Sequence, residues 1–230
     1  MHESLVNRIK YRLSRKKKIL VLGDSHTAVF KNAIFNQHYI KYLVKVVDVG
    51  GATVSGLTNP NSTTQALPIF RYIYKVFKPH HVIFQLGEVD TGFVIWYRAE
   101  KHQKSIDEML QQCIKNYADL LDEFKTTGKT IVISAPLPTI QDDQDWGDIA
   151  NARKEISASQ RERIILTQQF NQAIKLVCEE KNIFFIDLDN DSLGDDGFVK
   201  SELLNQNEND HHYDHKNYIL LIMSHLKRIL

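Results

Sequence analysis

Short apolar runs rich in β-branched residues alternate along this chain with longer stretches whose apolar side chains recur every three or four positions. That alternation is the pattern of a parallel sheet covered by helices, because parallel strands need a long crossover between them. The runs are Ile19 to Leu22, Leu43 to Val49, His81 to Leu86, Thr130 to Ser134 and Ile183 to Leu188. The helical periodicity falls on residues 28–38, 64–78, 105–126, 158–181 and 215–229. The expected fold is therefore a three-layer α/β/α sandwich with a five-stranded, mainly parallel sheet. At 230 residues with 43% hydrophobic side chains, the chain can bury one sizeable core but not two catalytic domains. Only 5 Pro and 10 Gly leave no room for long disordered or collagen-like tracts. The stretch 135–157, with Pro136, Pro138, Asp142, Asp143, Asp145 and Asp148, reads as a long surface loop, and Trp146 within it as one wall of a site.

Residues 1–17 read as a basic amphipathic arm and residues 18–230 as the single domain. Leu5, Ile9 and Leu13 fall at helical spacing among Arg8, Lys10, Arg12, Arg15, Lys16 and Lys17. Two readings stand: weak contact with an anionic membrane surface, or a solvated helix that packs on the domain and ends in a charged linker. Over the whole chain the charges balance, 29 Lys and Arg against 28 Asp and Glu, which argues against nucleic acid as a partner. No run approaches the roughly 18 to 20 apolar residues of a membrane span, and no secretory leader precedes the first strand, so the expected compartment is the cytoplasm. Cys113 and Cys178 lie in helical stretches without metal or redox spacing and read as buried thiols.

Glycine marks the end of each of the first three strands: Gly23, the pair Gly50 and Gly51, and Gly87. One such glycine is a tight turn. Three on consecutive strand ends mark a cleft, since ligands of open parallel sheets bind beyond the carboxyl ends of the strands. The first strand end reads Gly23-Asp24-Ser25-His26-Thr27 and leads into a helix expected to begin near Ala28. There Ser25 is either a nucleophile, with its own N–H at a helix N-terminus, or with Thr27 a simple cap. The elbow of the α/β-hydrolases is absent, because Thr27 fills its second glycine position. Near the far end, Asn209-Asp210-His211-His212-Tyr213-Asp214-His215 supplies imidazoles and carboxylates for a base and its orienting acid. The same cluster admits metal chelation by His211 and His215, though no second His or Cys pair elsewhere completes a set, and it admits plain helix capping.

Taken in order, Gly23-Asp24-Ser25, Gly51, Gly87-Glu88-Val89-Asp90 and the late Asp/His cluster resemble the four blocks of the SGNH hydrolases, the GDSL esterase and lipase family. The resemblance runs from Lys18 to the end of the chain. It implies Ser25 as nucleophile, the backbone N–H groups of Ser25 and Gly51 as oxyanion donors, His212 as base and Asp210 as its orienting acid, with Asn209 and His211 as rivals for that last role. It implies no cofactor and no metal. One block departs from the pattern: the Asn that gives the family's third oxyanion donor is Val89, which cannot donate, leaving Gln85, Thr91, Asn59 or Asn61 to substitute. The Gly-Glu-Val-Asp form is similar to SGNH-like proteins linked with bacterial surface polysaccharides.

Beyond Asp90, Trp96, Tyr97 and Arg98 present aromatic faces and a guanidinium suited to an acidic or acetylated sugar; the alternative is that Phe93, Ile95 and Trp96 pack as a core lid. Asp24, His26, Glu88 and Asp90 join Trp96 and Arg98 as expected substrate contacts. The acidic run Asp187-Leu188-Asp189-Asn190-Asp191 is not a calcium loop, because Ser192 and Phe198 stand where glycine and glutamate are required. The expected activity is removal of a small acyl group, acetyl foremost, from a carbohydrate. O-acetyl transfer to a polysaccharide or its precursor uses the same residues, and a non-catalytic glycan-binding or assembly module is the reading from a different class. Oligomeric state is not written in the sequence.

Overall fold

A computed structural model describes residues 3–124, 126–142, 156–207 and 209–230. The five expected strands form one sheet: β1 (Lys17–Gly23), β2 (Tyr42–Asp48), β3 (His81–Gln85), β4 (Thr130–Ile133) and β5 (Phe184–Ile186). Their order is β2-β1-β3-β4-β5 and every pairing is parallel. This is a flavodoxin-like winding. The strand order reverses between β1 and β3, so the crevice at that reversal opens beyond Gly23 and Gln85, which pair with each other at the sheet's carboxyl edge.

Central β1 is buried on both faces, which is why Ile19, Leu20, Val21 and Leu22 are continuously apolar and fully inaccessible. Alternation along the strand still sorts these side chains. Leu20 and Leu22 join Val82, Phe84 and Val132 beneath α4 (Ala66–Phe77), α6 (Ile106–Glu123) and α7 (Gln160–Glu180). Ile19 and Val21 join Ile83, Ile131 and Ile133 beneath α2 (Ala33–His38) and α9 (His215–Leu226). The two longest helices start where the sequence tells them to. Ser105 with Glu108, and Ser159 with Glu162, form reciprocal capping boxes that satisfy the first free N–H groups.

Two features differ from the sequence reading. Residues 28–38 do not form one helix: a 3-10 turn over Ser25–Lys31 precedes α2, with Asn32 capping the latter. Short helices α3 (Val54–Leu57), α5 (Ile95–His102) and α8 (Asp189–Ser192) occupy stretches expected to be irregular. The N-terminal helix α1 (Leu5–Leu13) packs on the domain by the side opposite its apolar stripe. Tyr11 sits edge-on to Phe77 at 4.8 Å and Glu3 pairs with Lys45 at 2.5 Å, while Leu5, Val6 and Leu13 stay more than 70% exposed. Cys113 and Cys178 are buried thiols, as expected. Among the described residues no helix is long and apolar enough to cross a membrane. Trp146 and the acidic residues 143, 145 and 148 lie outside the described residues.

The acidic run after β5 is structural. Asp187 Oδ1 accepts from Asp189 N, and Asp189 Oδ1 accepts from Asn171 Nδ2 at 2.7 Å. Burial pushes Asp189 up from 3.8 to about 7. A carboxyl that binds its proton more tightly in the folded chain loses stability as pH rises from its unfolded to its folded value. Asp189→Asn, which keeps the oxygen that meets Asn171, should therefore raise the melting temperature above pH about 7 and leave it unchanged below 3.8. Thermal unfolding across that range checks the sign.

Candidate active site

The turn after β1 is held by its own side chains. Asp24 Oδ1 accepts from His26 N at 2.9 Å, and Thr27 Oγ1 donates to Asp24 O at 2.8 Å. Gly23 is obligatory there, since a Cβ would stand 2.1 Å from the Gln85 carbonyl oxygen. This places Ser25 as the first residue of the 3-10 turn, partly accessible between buried Asp24 and His26. After β2 the chain turns through Gly51 at φ +69, a conformation that favours glycine. Among the described residues, the N–H groups of Ser25 and Gly51 donate to no hydrogen-bond acceptor.

Asp90 fixes the Gly51 loop. Fully buried at the start of a π-helical turn (Asp90–Val94), it accepts from Val54 N at 2.7 Å and Ser55 N at 2.9 Å, tying α3 to the chain after β3. It therefore does not face substrate, correcting the expectation. Arg98 and Trp96, also expected at the substrate, are half-buried and make contacts within the fold. Arg98 Nη1 donates to Ser55 O at 3.4 Å, Trp96 Nε1 donates to Thr91 O at 2.7 Å, and the indole packs against the core, so the lid alternative describes Trp96. Gln85 and Thr91 are equally committed: Gln85 Nε2 donates to Tyr218 Oη at 2.5 Å, and Thr91 Oγ1 shares a hydrogen with Thr167 Oγ1 at 2.7 Å. Asn59 and Asn61 are exposed, with Asn59 Oδ1 accepting from Asn61 N. Of the four, Gln85 and Thr91 are thus engaged inside the fold, and Asn59 and Asn61 stand at the surface.

The last helix brings the far end of the chain to this turn. Tyr218, Ile219 and Ile222 of α9 pack in one cluster with Val29 and Phe30 of the 3-10 turn. Just before α9, Tyr213 is buried and its Oη accepts from Leu137 N at 3.0 Å, while Thr139 Oγ1 donates to His211 O at 2.6 Å. These bonds pin the segment 209–213 against the loop after β4. The pinned segment presents a carboxylate and an imidazole in contact: Asp210 Oδ1 stands 2.6 Å from His212 Nδ1 and accepts from His212 N at 3.0 Å. Asn209 is exposed and makes no contact with His212, so the rivalry for the orienting position resolves to Asp210. The His212 ring lies 4.7 Å from that of His26, the residue next to Ser25.

Electrostatics suit a neutral imidazole. Burial and the neighbouring His26 push His212 below its ordinary 6.5, with Asp210 and buried Glu88 partly offsetting them. Burial raises Asp210, but the bonds from His212 outweigh it and hold the carboxyl below its ordinary range. Nε2 of His212 is buried and has no partner among the described residues, so the lone pair that would take a proton is not engaged. Asp24 and His26, expected at the substrate, are almost wholly buried, and Asp24 is spent on positioning His26. Beside this site a cavity of about 1180 Å³ opens, lined among others by Thr139, Gln160, Phe198, Lys200, Asn205 and Asp210.

The turn that holds Ser25 and the carboxylate-oriented imidazole of His212 thus meet at the sheet's switch point through the neighbouring ring of His26. The chain belongs to the GDSL-like lipase/acylhydrolase family, whose model matches residues 19–222. Solved structures agree on the fold. A GDSL-like lipase from Bacteroides thetaiotaomicron is 16% identical with a TM-score of 0.59, covering 99% of this chain and 100% of that one. A catalytic mutant of the acetylxylan esterase Axe2 from Geobacillus stearothermophilus, with a serine replaced by alanine, is 17% identical over 93% and 94% of the two chains, TM-score 0.57. The carbohydrate acetylesterase Est24 from Sinorhizobium meliloti is 13% identical over 93% and 98%, TM-score 0.58. No curated protein matches.

The part played by Asp90 is testable. Asp90→Ala leaves the N–H groups of Val54 and Ser55 buried and unpaired, a cost on the order of 3 kcal/mol. A denaturant titration should show that loss.

Proposed function

We propose that this protein is a serine-dependent ester hydrolase that removes a small acyl group, acetyl foremost, from a carbohydrate hydroxyl. The observation that carries the reading is the Asp210–His212 pair, 2.6 Å apart, delivered by the end of the chain to the turn that holds Ser25. Ser25 Oγ attacks the ester carbonyl carbon as its proton passes to His212 Nε2. The oxyanion of the tetrahedral intermediate is met by the N–H groups of Ser25 and Gly51. Collapse breaks the bond to the sugar oxygen, which takes the proton back from His212, and water releases the acyl group from Ser25 by the same steps in reverse. Asp210 keeps the Nδ1 proton in place and stabilises the imidazolium as it forms.

Val89 leaves the oxyanion hole with two backbone donors. In a hydrolase where it was measured, losing a donor cost about 2.7 to 4 kcal/mol, so this enzyme should be slow with unactivated esters. A carbohydrate substrate fits the polar cavity beside Asp210, whose lining of Gln160, Asn205 and Lys200 around Phe198 offers hydrogen bonds to hydroxyls and one apolar face to a ring. It also fits the acetylxylan and carbohydrate acetylesterases among the neighbours. With a sugar hydroxyl replacing water, the same residues give an O-acetyltransferase.

Turnover of p-nitrophenyl acetate tests the reading. Ser25→Ala and His212→Ala should each reduce kcat by at least about 10³-fold while the fold persists. Activity surviving Ser25→Ala sinks the nucleophile, and acetate transfer seen only with an acceptor sugar selects the transferase. Because the base must be unprotonated, the acid limb of kcat/KM should fall below pH 6.5. In Asp210→Asn it should shift lower still, since the carboxylate that favours the imidazolium is gone, and kcat should fall by about 10²- to 10⁴-fold.

A further inference from the structure

One local motif occurs twice and the two copies face each other. In Asp24-Ser25-His26, Asp24 Oδ1 accepts from His26 N at 2.9 Å and lies 3.1 Å from its Nδ1. In Asp210-His211-His212 the same carboxylate oxygen makes the same two contacts at 3.0 and 2.6 Å. Each Asp-x-His turn engages Nδ1, and in His212 Nε2 has no partner among the described residues. The third imidazole, His211, stacks 4.2 Å from His212 and 5.8 Å from His26, centroid to centroid. One ligand-type atom from each of the three rings lies within 4.8 Å of the others.

A carboxylate on Nδ1 is how proteins orient histidines that bind metal through Nε2. Three imidazoles with no thiolate suit a borderline ion of the zinc type rather than calcium or magnesium. With Zn–N of about 2.0 to 2.1 Å, tetrahedral ligand nitrogens stand about 3.4 Å apart, a contraction within reach of small side-chain rotations. His215, which stands at i,i+4 from His211, is not in this set, and its third ring comes from the other end of the chain, His26.

We propose that His26, His211 and His212 bind one divalent transition ion, with Ser25 beside its open position. Resting on the esterase reading, this makes the ion an inhibitor: bound at His212 Nε2 it occupies the lone pair that must take the serine proton. The test uses the full chain stripped with a chelator and titrated with Co²⁺. Visible absorption reports tetrahedral ligation, and competition calorimetry reports Zn²⁺. One ion per chain should bind, with affinity falling about tenfold or more in His26→Gln and in His211→Gln, while exposed His38→Gln changes nothing. No saturable binding, or affinity untouched in both variants with their melting temperatures intact, overturns the site. Zn²⁺ should also abolish ester turnover, and chelator restore it. Cobalt bands accompanied by undiminished turnover would keep the metal site and sink His212 as base, so the two readings fail separately.

A second inference rests on α1 alone. Its docked side carries Tyr11, and its outward side carries Leu5 (71% exposed), Val6 (74%), Ile9 (48%) and Leu13 (74%). Exposed Arg8 and Arg12 border that stripe on one side and Lys10 on the other, with Arg15, Lys16 and Lys17 following. Apolar residues outward between basic flanks are the geometry of a helix lying in an anionic lipid surface, and the charge selects that partner over a second copy of an equally basic helix. We infer that α1 seats the domain on anionic membrane. The full chain should sediment with phosphatidylcholine vesicles containing phosphatidylglycerol, lose binding in high salt, and lose it in the triple variant Leu5→Ser, Ile9→Ser, Leu13→Ser, whose turnover stays unchanged. Equal binding to pure phosphatidylcholine, or a dimer that the triple variant dissolves, overturns the inference.

Discussion

The packing of α9 on the turn after β1 is the contact on which everything else in this molecule depends. Val29 and Phe30 on one side, Tyr218, Ile219 and Ile222 on the other, are buried almost completely in a shared cluster. Apolar burial has no direction of its own, so it cannot set the position of an imidazole. That task falls to the polar anchors around it. Tyr213 Oη accepting from Leu137 N, His211 O receiving Thr139 Oγ1, and Asp214 capping α9 through Lys216 N and Asn217 N fix the segment in between. Burial brings the two ends of the chain together, and hydrogen bonds decide which atoms meet.

The sheet was legible because its signal is redundant. Five β-branched runs, each separated by a helical period, allow few arrangements, and capping pairs such as Ser105 with Glu108 mark boundaries independently of hydrophobicity. The crevice was legible for another reason: glycines mark the ends of adjacent strands, and Gly23 is demanded by an approach of 2.1 Å to the backbone of β3. What stayed hidden is which polar side chains are spent inside. Asp90, Arg98, Gln85 and Thr91 all look available in sequence, and each is taken up by a partner distant along the chain, as when Asp90 meets Val54 and Ser55. Sequence spacing carries no trace of such pairings. The same limit explains α1. Its apolar stripe is plain in the sequence, but only Tyr11 against Phe77 decides which side faces out.

In the proposed reaction Val89 leaves two backbone donors for the oxyanion, an arrangement that stabilises charge less and favours good leaving groups or long residence of a well-held substrate. The neighbouring ring of His26 opposes protonation of His212, so the clustered imidazoles keep the proposed base neutral.

In the proposed reaction the serine and its base come from segments far apart along the chain, joined in space by the packing of α9 on the turn after β1. No local piece of the chain carries both groups, so the proposed chemistry belongs to the tertiary fold as a whole, and any change that loosens α9 from Val29 and Phe30 acts on the centre without touching a reacting atom.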